Sequence, residues 1–147
     1  MTRLAGLDLR RGRYVAHSSS LTVDGMWIAN GTFLLLDEPT DDRELGAAVS
    51  RMLDASRTGV PTPDLRNGPS PFAPVLDALG LRTYATYAKG TRHVDVERDA
   101  DVVLVSPTRN GGAREGFVEL TEHTVRLTTP GDEELGEAVR AALDRSS

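Results

Sequence analysis

Three side chains are suited to acid–base or metal chemistry near neutral pH: His17, His93 and His123. None stands in a His-Glu-x-x-His or His-x-His arrangement, so no spacing along the chain supports a metal site, and only folding could assemble one. Otherwise they are ordinary surface or hydrogen-bonded histidines. Nucleophilic chemistry has no better foothold. The chain has no cysteine, and the serine run Ser18 to Ser20 lacks the Gly-x-Ser-x-Gly frame of a nucleophile elbow. No Asp or Glu pair has a spacing from which a catalytic geometry follows. The segment Gly111-Gly112-Ala113-Arg114-Glu115-Gly116 is rich in glycine but lacks the Gly-Lys-Ser/Thr ending of a phosphate loop, and reads as a turn. These residues point away from an enzyme and imply neither a cofactor nor a metal.

Charge is more suggestive. Asp95, Glu97, Asp99 and Asp101 are spaced two apart, so in an extended chain they project from one face, opposite Val94 and Val96. Two readings fit. One is the solvated side of a half-buried strand, with Asp99-Ala100 as a turn that breaks the period. The other is an acidic ladder facing a basic partner, where complementary charge raises on-rate and specificity. A second acidic cluster, Asp37, Glu38, Asp41, Asp42 and Glu44, is accounted for by the start of a helix, whose dipole favours negative charge there.

The elements that must position these groups are organised around a stretch that occurs twice. Residues 42 to 56 and 132 to 146 share the pattern DxELGxAVxxxLDxS. Leu45, Ala48, Val49, Met52 and Leu53, and then Leu135, Ala138, Val139, Ala142 and Leu143, fall at helical spacing, which predicts two equivalent amphipathic helices. Asp41 with Glu44, and Gly131 with Glu134, suit the Ncap and N3 positions. Gly46 and Gly136 lie inside these helices, where glycine costs about 1 kcal/mol against alanine. The same cost incurred twice predicts close backbone approach at both sites.

Before the first copy, residues 13 to 17 form a strand candidate. A hairpin is then predicted, with 26 to 29 and 32 to 36 flanking an Asn30-Gly31 turn. The unbroken run Phe33 to Leu36 suggests a central strand covered on both faces. From Arg57 to Pro74 five prolines and two glycines exclude a helix or a central strand. A loop of this length is either functional or a connector over one sheet edge, and it carries Asp64 and Arg66. Residues 72 to 79 predict a short helix stopped by Gly80 at C′. Strands are expected over 81–88, 92–98, 101–106 (ended by Pro107), 116–120 and 124–127. Connections this short make the strands mostly antiparallel. The expectation is an α+β domain over residues 1–147: a curved, mainly antiparallel sheet of about six to eight strands, with the two equivalent helices and a short third packed against it.

Composition agrees with one folded domain. The 147 residues are 39% hydrophobic and 27% charged, enough for an ordinary core. The 17 basic and 22 acidic residues give a net charge of −5, which argues against a nucleic-acid phosphate track and is compatible with a basic protein partner. The first twenty residues contain arginines but no continuous apolar run, so neither a secretory signal nor a membrane span is expected, and the cytoplasm is the expected address.

Laid out in this way, the chain resembles the immunity proteins of contact-dependent growth inhibition. The resemblance rests on the ELGxAVxxxLDxS helix after the first strands, the Leu79-Gly80-Leu81 step, and Ser106-Pro107-Thr108 followed by Gly116-Phe117, and it spans residues 13 to 147. It implies a protein that binds a cognate toxin domain, often a nuclease, and blocks it; it transfers no catalytic residue. An acidic domain with a long proline-rich loop suits an inhibitor of a basic nuclease. The candidate toxin-binding residues are Asp95, Glu97, Asp99, Asp101, Asp64 and Arg66. Two alternatives remain: an interaction domain without a toxin partner, and an enzyme whose three histidines converge with carboxylates.

Overall fold

The computed structural model describes residues 1–147. Strands β1 (Thr2–Arg10), β2 (Arg13–Thr22) and β3 (Trp27–Asp37) lead into helix α1 (Asp42–Ala55). Short strand β4 (Thr58–Val60), α2 (Ala73–Leu79) and α3 (Tyr84–Ala88) follow, then the hairpin of β5 (Arg92–Asp99) and β6 (Val102–Asn110). A one-turn α4 (Gly112–Glu115), β7 (Phe117–Glu119), a 3-10 turn (Thr121–His123), β8 (Val125–Thr128) and α5 (Asp132–Arg145) complete the chain. The eight strands form one sheet in the order β3-β2-β1-β5-β6, with β7 and β8 sharing the outer edge of β6 and β4 pairing with β2. Every pairing is antiparallel except that of β4 with β2.

Helices α1 and α5 carry the repeated sequence and cover one face together. Leu45, Val49, Met52, Leu53, Leu135, Val139 and Leu143 meet Ala5, Leu7, Tyr14, Ala16, Val94, Val96, Val103 and Val105 in the main core. The period-two alternation supplies the sheet's half of that core, since Ala5 and Leu7, or Val94 and Val96, point the same way along their strands. The helix caps agree with the pattern: the Asp41 carboxylate accepts from the Glu44 N–H at 2.8 Å, and Gly131 is the Ncap of α5. An added Cβ at Gly46 would collide with the Asp132 carbonyl, and one at Gly136 with the Asp42 carbonyl. The two glycines thus let the helix backbones touch, reciprocally, at equivalent points. On the opposite face a smaller cluster of Val15, Phe72, Val75, Leu76 and Tyr87 packs α2 and α3 onto the sheet.

The structure departs from expectation at five points. The N-terminal strand β1 was not anticipated, because Arg3, Asp8 and Arg10 mask the alternation of Ala5, Leu7 and Leu9. Asn30-Gly31 does not turn the chain. Strand β3 runs through it, and the pairing steps from Ser19–Ala29 to His17–Phe33, so that Asn30, Gly31 and Thr32 bulge out opposite Ser18. Gly31 supplies the positive φ of 87°, and the Asn30 amide donates to the Ser18 and Ser20 hydroxyls and the Ala55 carbonyl at 2.9, 3.0 and 3.3 Å. The left-handed preference of Gly31 serves a bulge as well as a turn. Strand β3 is also an edge rather than a central strand, with Leu35 37% exposed. Residues 84–88 are helical, with the Thr83 hydroxyl capping the Thr86 N–H at 3.2 Å, so the tyrosines there face the sheet from a helix. Finally, β6 continues through Pro107 to Asn110. Proline is accommodated because it falls where the outer partner changes from β8, which covers Val102–Val105, to β7, which covers Thr108–Asn110. The short helix over 73–79 and its left-handed Gly80, φ 70°, are as expected.

Candidate functional site

The face of the sheet away from α1 and α5 gathers the chain's buried ionisable groups. In β1, the residues between Ala5, Leu7 and Leu9 must point to this face, and they include Gly6 and Asp8. Register then decides the neighbours. Asp8 lies opposite His93 of β5, and Gly6 lies between His17 of β2 and Asp95 of β5. Two adjacent rungs therefore bring together two carboxylates and two imidazoles. Gly6 leaves the room they need, since a Cβ there would strike both the His17 and the His93 rings.

Asp8 is 2% exposed and is the hub. One carboxylate oxygen, Oδ2, accepts from the Tyr87 hydroxyl at 2.5 Å and from His17 Nε2 at 3.1 Å; the other accepts from His93 Nδ1. His93 uses its second nitrogen on Asp95 Oδ1 at 2.7 Å. A carboxylate is acceptor-only, so these bonds place the protons on Nε2 of His17 and on both nitrogens of His93. The Nδ1 of His17 is buried without a partner. Burial alone would raise the Asp8 carboxyl, but the two imidazoles hold it well below the ordinary range. Burial would likewise lower His93, yet Asp8 and Asp95 together push it up to about 10. Asp95 also opposes its own burial through His93 and stays below its usual value. Glu119 of β7, exposed at its tip but desolvated beside the Asp95 charge, is raised. Burial and the Asp8 charge push the Tyr87 phenol far up, and burial, Asp8 and Asp95 push Tyr84 up to about 12.

Above this cluster opens a cavity of about 420 Å³. Its walls include Trp27 from β3, Leu65 and Pro71 from the proline-rich loop, Phe72, Tyr84 from α3 and Phe117 from β7. The aromatics are mutually packed: the Phe72 ring stands edge-on to His17 at 5.5 Å and to Tyr84 at 5.3 Å, and Phe117 lies 4.7 Å from His93. The floor is a charged network and the rim is apolar, with Met26, Leu65 and Tyr84 each at least 40% exposed. No nucleophilic side chain stands in the network. What it offers chemically is charge held out of water and a set of imidazole and carboxylate atoms that could act as ligands.

A family model described as CDI immunity protein matches residues 14–146. The chain belongs to the CDI immunity protein family. Its fold agrees with solved structures at low sequence identity. One, a protein of unknown function, NMB0488, from Neisseria meningitidis, is 21% identical, with a TM-score of 0.79 over 100% of this chain and 96% of that one. Another is the CdiA-CT/CdiI toxin and immunity complex from Yersinia pseudotuberculosis, 18% identical, with a TM-score of 0.77 over 100% of this chain and 98% of that one. No curated protein matches. No helix is long and apolar enough to cross a membrane.

Within this immunity-family fold, the residues singled out from the sequence have separate fates. Asp95 joins the buried network. Glu97 is half-buried one rung along on the same face. Asp99 closes the strand, exposed, where it accepts from the Thr2 hydroxyl at 3.3 Å and pairs with the N-terminal amine at 3.6 Å. Asp101 lies beyond Ala100, whose φ is 54°, in the hairpin turn, so the ladder ends at Asp99. Asp64 shapes the loop by accepting from the Arg66 and Asn67 N–H groups at 3.1 and 3.0 Å, and that turn lowers its own carboxyl. Arg66 is exposed. His123 is exposed and hydrogen-bonded with Arg145, away from the other two histidines. Asp8, Gly6 and Tyr87 were not foreseen. The apolar alternation of Ala5, Leu7 and Leu9 was the one signal that could have exposed Asp8 as an inward-facing charge.

Proposed function

We propose that the chain, acting as one immunity domain over residues 1–147, binds a cognate toxin domain in the cytoplasm and neutralises it by covering its active site or substrate surface, and that the toxin is a basic nuclease. Membership of the CDI immunity protein family over residues 14–146 carries this reading. The Yersinia pseudotuberculosis structure, described as a toxin and immunity complex, gives it a parallel. The proposed interface is the face opposite α1 and α5. Loop residues Leu65, Ser70 and Pro71 and the ladder's Asp95 line a single cavity there, so the loop and the acidic strand act as one surface. Exposed apolar rim residues beside acidic groups suit the core and edge of a protein interface of roughly 1,600 Å². The test is co-expression with the toxin domain encoded beside this gene: protection and a stable complex are expected. An absence of both would leave an interaction domain without a toxin partner.

The convergence of His17, His93, Asp8 and Asp95 favours a second reading, a histidine-dependent enzyme. Its weakness is that both nitrogens of His93 and both oxygens of Asp8 are already engaged, which leaves no free general base in this pair. Protection that persists stoichiometrically with toxin, rather than at catalytic ratios, separates an inhibitor from an enzyme.

A further inference from the structure

We propose that Asp8, His17 and His93 form a binding site for one divalent transition-metal ion of the zinc class, set into the sheet beneath the cavity. Their ligand atoms all lie within 4.8 Å of one another. Two imidazoles and one carboxylate are a borderline-soft donor set, which suits Zn²⁺ and its neighbours in the first row and not Mg²⁺ or Ca²⁺. Three protein ligands leave a coordination position free, and here that position faces the cavity.

The surroundings are those a metal site needs. His93 presents Nδ1 to the cluster while Asp95 holds its Nε2 at 2.7 Å, the carboxylate support that fixes the tautomer and orientation of a metal-binding histidine. The Tyr87 hydroxyl steadies Asp8 from behind at 2.5 Å. The three ligands sit on neighbouring strands β2, β1 and β5, whose register fixes their backbone positions. Gly6 keeps the space between the rings clear. His17, with its Nδ1 buried and partnerless, makes its side-chain hydrogen bond to Asp8 and is set in place by the Phe72 ring edge-on to it at 5.5 Å. Binding replaces the proton between Asp8 and His93 Nδ1, which is released to solvent, and shifts the single His17 proton from Nε2 to Nδ1, so that both rings ligate as neutral imidazoles.

Calorimetric titration of the chelator-treated full chain with ZnCl₂ tests this directly. One saturable Zn²⁺ per chain is expected, with a rise in the thermal midpoint that EDTA reverses, and Mg²⁺ or Ca²⁺ should produce neither. His17→Ala should remove the stoichiometric site while circular dichroism shows the chain folded. Asp95→Asn should weaken binding by roughly 10- to 100-fold, and His123→Ala should leave it unchanged. Wild-type protein that shows no saturable Zn²⁺ binding would overturn the proposal, as would a site that survives His17→Ala. Toxin protection is a separate readout, so the metal site can fail with the immunity reading intact, or the reverse.

Discussion

Asp8 illustrates how much of this molecule depends on single polar residues. A carboxylate at 2% exposure is stable only because Tyr87, His17 and His93 surround it with donors. Asp8→Ala leaves His93 buried with one of its two partners gone, and breaking a buried charged pair from one side costs about 3–5 kcal/mol. The urea midpoint should fall accordingly. A loss under about 1 kcal/mol would mean that water or a shifted side chain replaces the carboxylate. The sequence exposed only part of this cluster. Asp95 stands out through the period-two acidic pattern, and His17 and His93 through their type, but nothing local joins them. Their meeting depends on the register of β1 between β2 and β5, and β1 is the strand whose charges concealed it.

At the scale of elements, the repeat was legible as a pair of helices, and so was the reason for its glycines. Propensity alone says Gly46→Ala should stabilise α1 by about 1 kcal/mol. The collision with the Asp132 carbonyl says otherwise, because backbone cannot swing aside. We expect Gly46→Ala and Gly136→Ala each to destabilise by about 1–3 kcal/mol through overpacking. The double variant should cost less than the sum, because one separation of α1 from α5 relieves both contacts. Additive losses in chemical denaturation would contradict reciprocal packing. The last residue of the repeat has a role the pattern did not disclose. Ser56, just past α1, donates to the Ser19 carbonyl at 2.5 Å and accepts from the Leu4 N–H at 3.1 Å. Ser146, just past α5, accepts from the Thr108 N–H at 3.1 Å, and its single proton is shared between the Ala142 carbonyl at 2.9 Å and the His93 carbonyl at 3.1 Å. Each hydroxyl fastens a helix end across two strands. Ser56→Ala and Ser146→Ala should each cost about 1–3 kcal/mol by leaving a buried N–H unpaired, and amide exchange at Leu4 and Thr108 respectively should quicken. Asn30-Gly31 shows the limit of local reading: a two-residue type I′ turn needs positive φ at both positions, only Gly31 takes it, and the buried partners of the Asn30 amide select a bulge over a turn.

For the whole molecule, the decisive feature is that the two sheet faces differ. The repeated helices close one face with apolar packing, while the other carries the acidic strand, the proline-rich loop and the aromatic rim. Composition announced a net charge of −5 but could not place it, because a layer's outward face is set by which helices cover it. If the open face meets a basic toxin, its accessible charges should act on association more than on dissociation. Asp95 is unsuitable as a probe because it supports the buried network, whereas Glu97 and Asp99 lie on the same strand at the sheet surface. Reversing both, Glu97→Lys with Asp99→Lys, should slow association with the toxin about tenfold or more at low salt and flatten its dependence on ionic strength. The same number of reversals on α5, Glu133→Lys with Glu137→Lys, changes net charge equally but lies on the closed face, and should have a much smaller effect. Surface plasmon resonance at two salt concentrations reads both. Equal slowing by the two pairs would show that only net charge matters and would remove the acidic strand from the interface, while slowing confined to Glu97 and Asp99 would fix the orientation in which the toxin approaches.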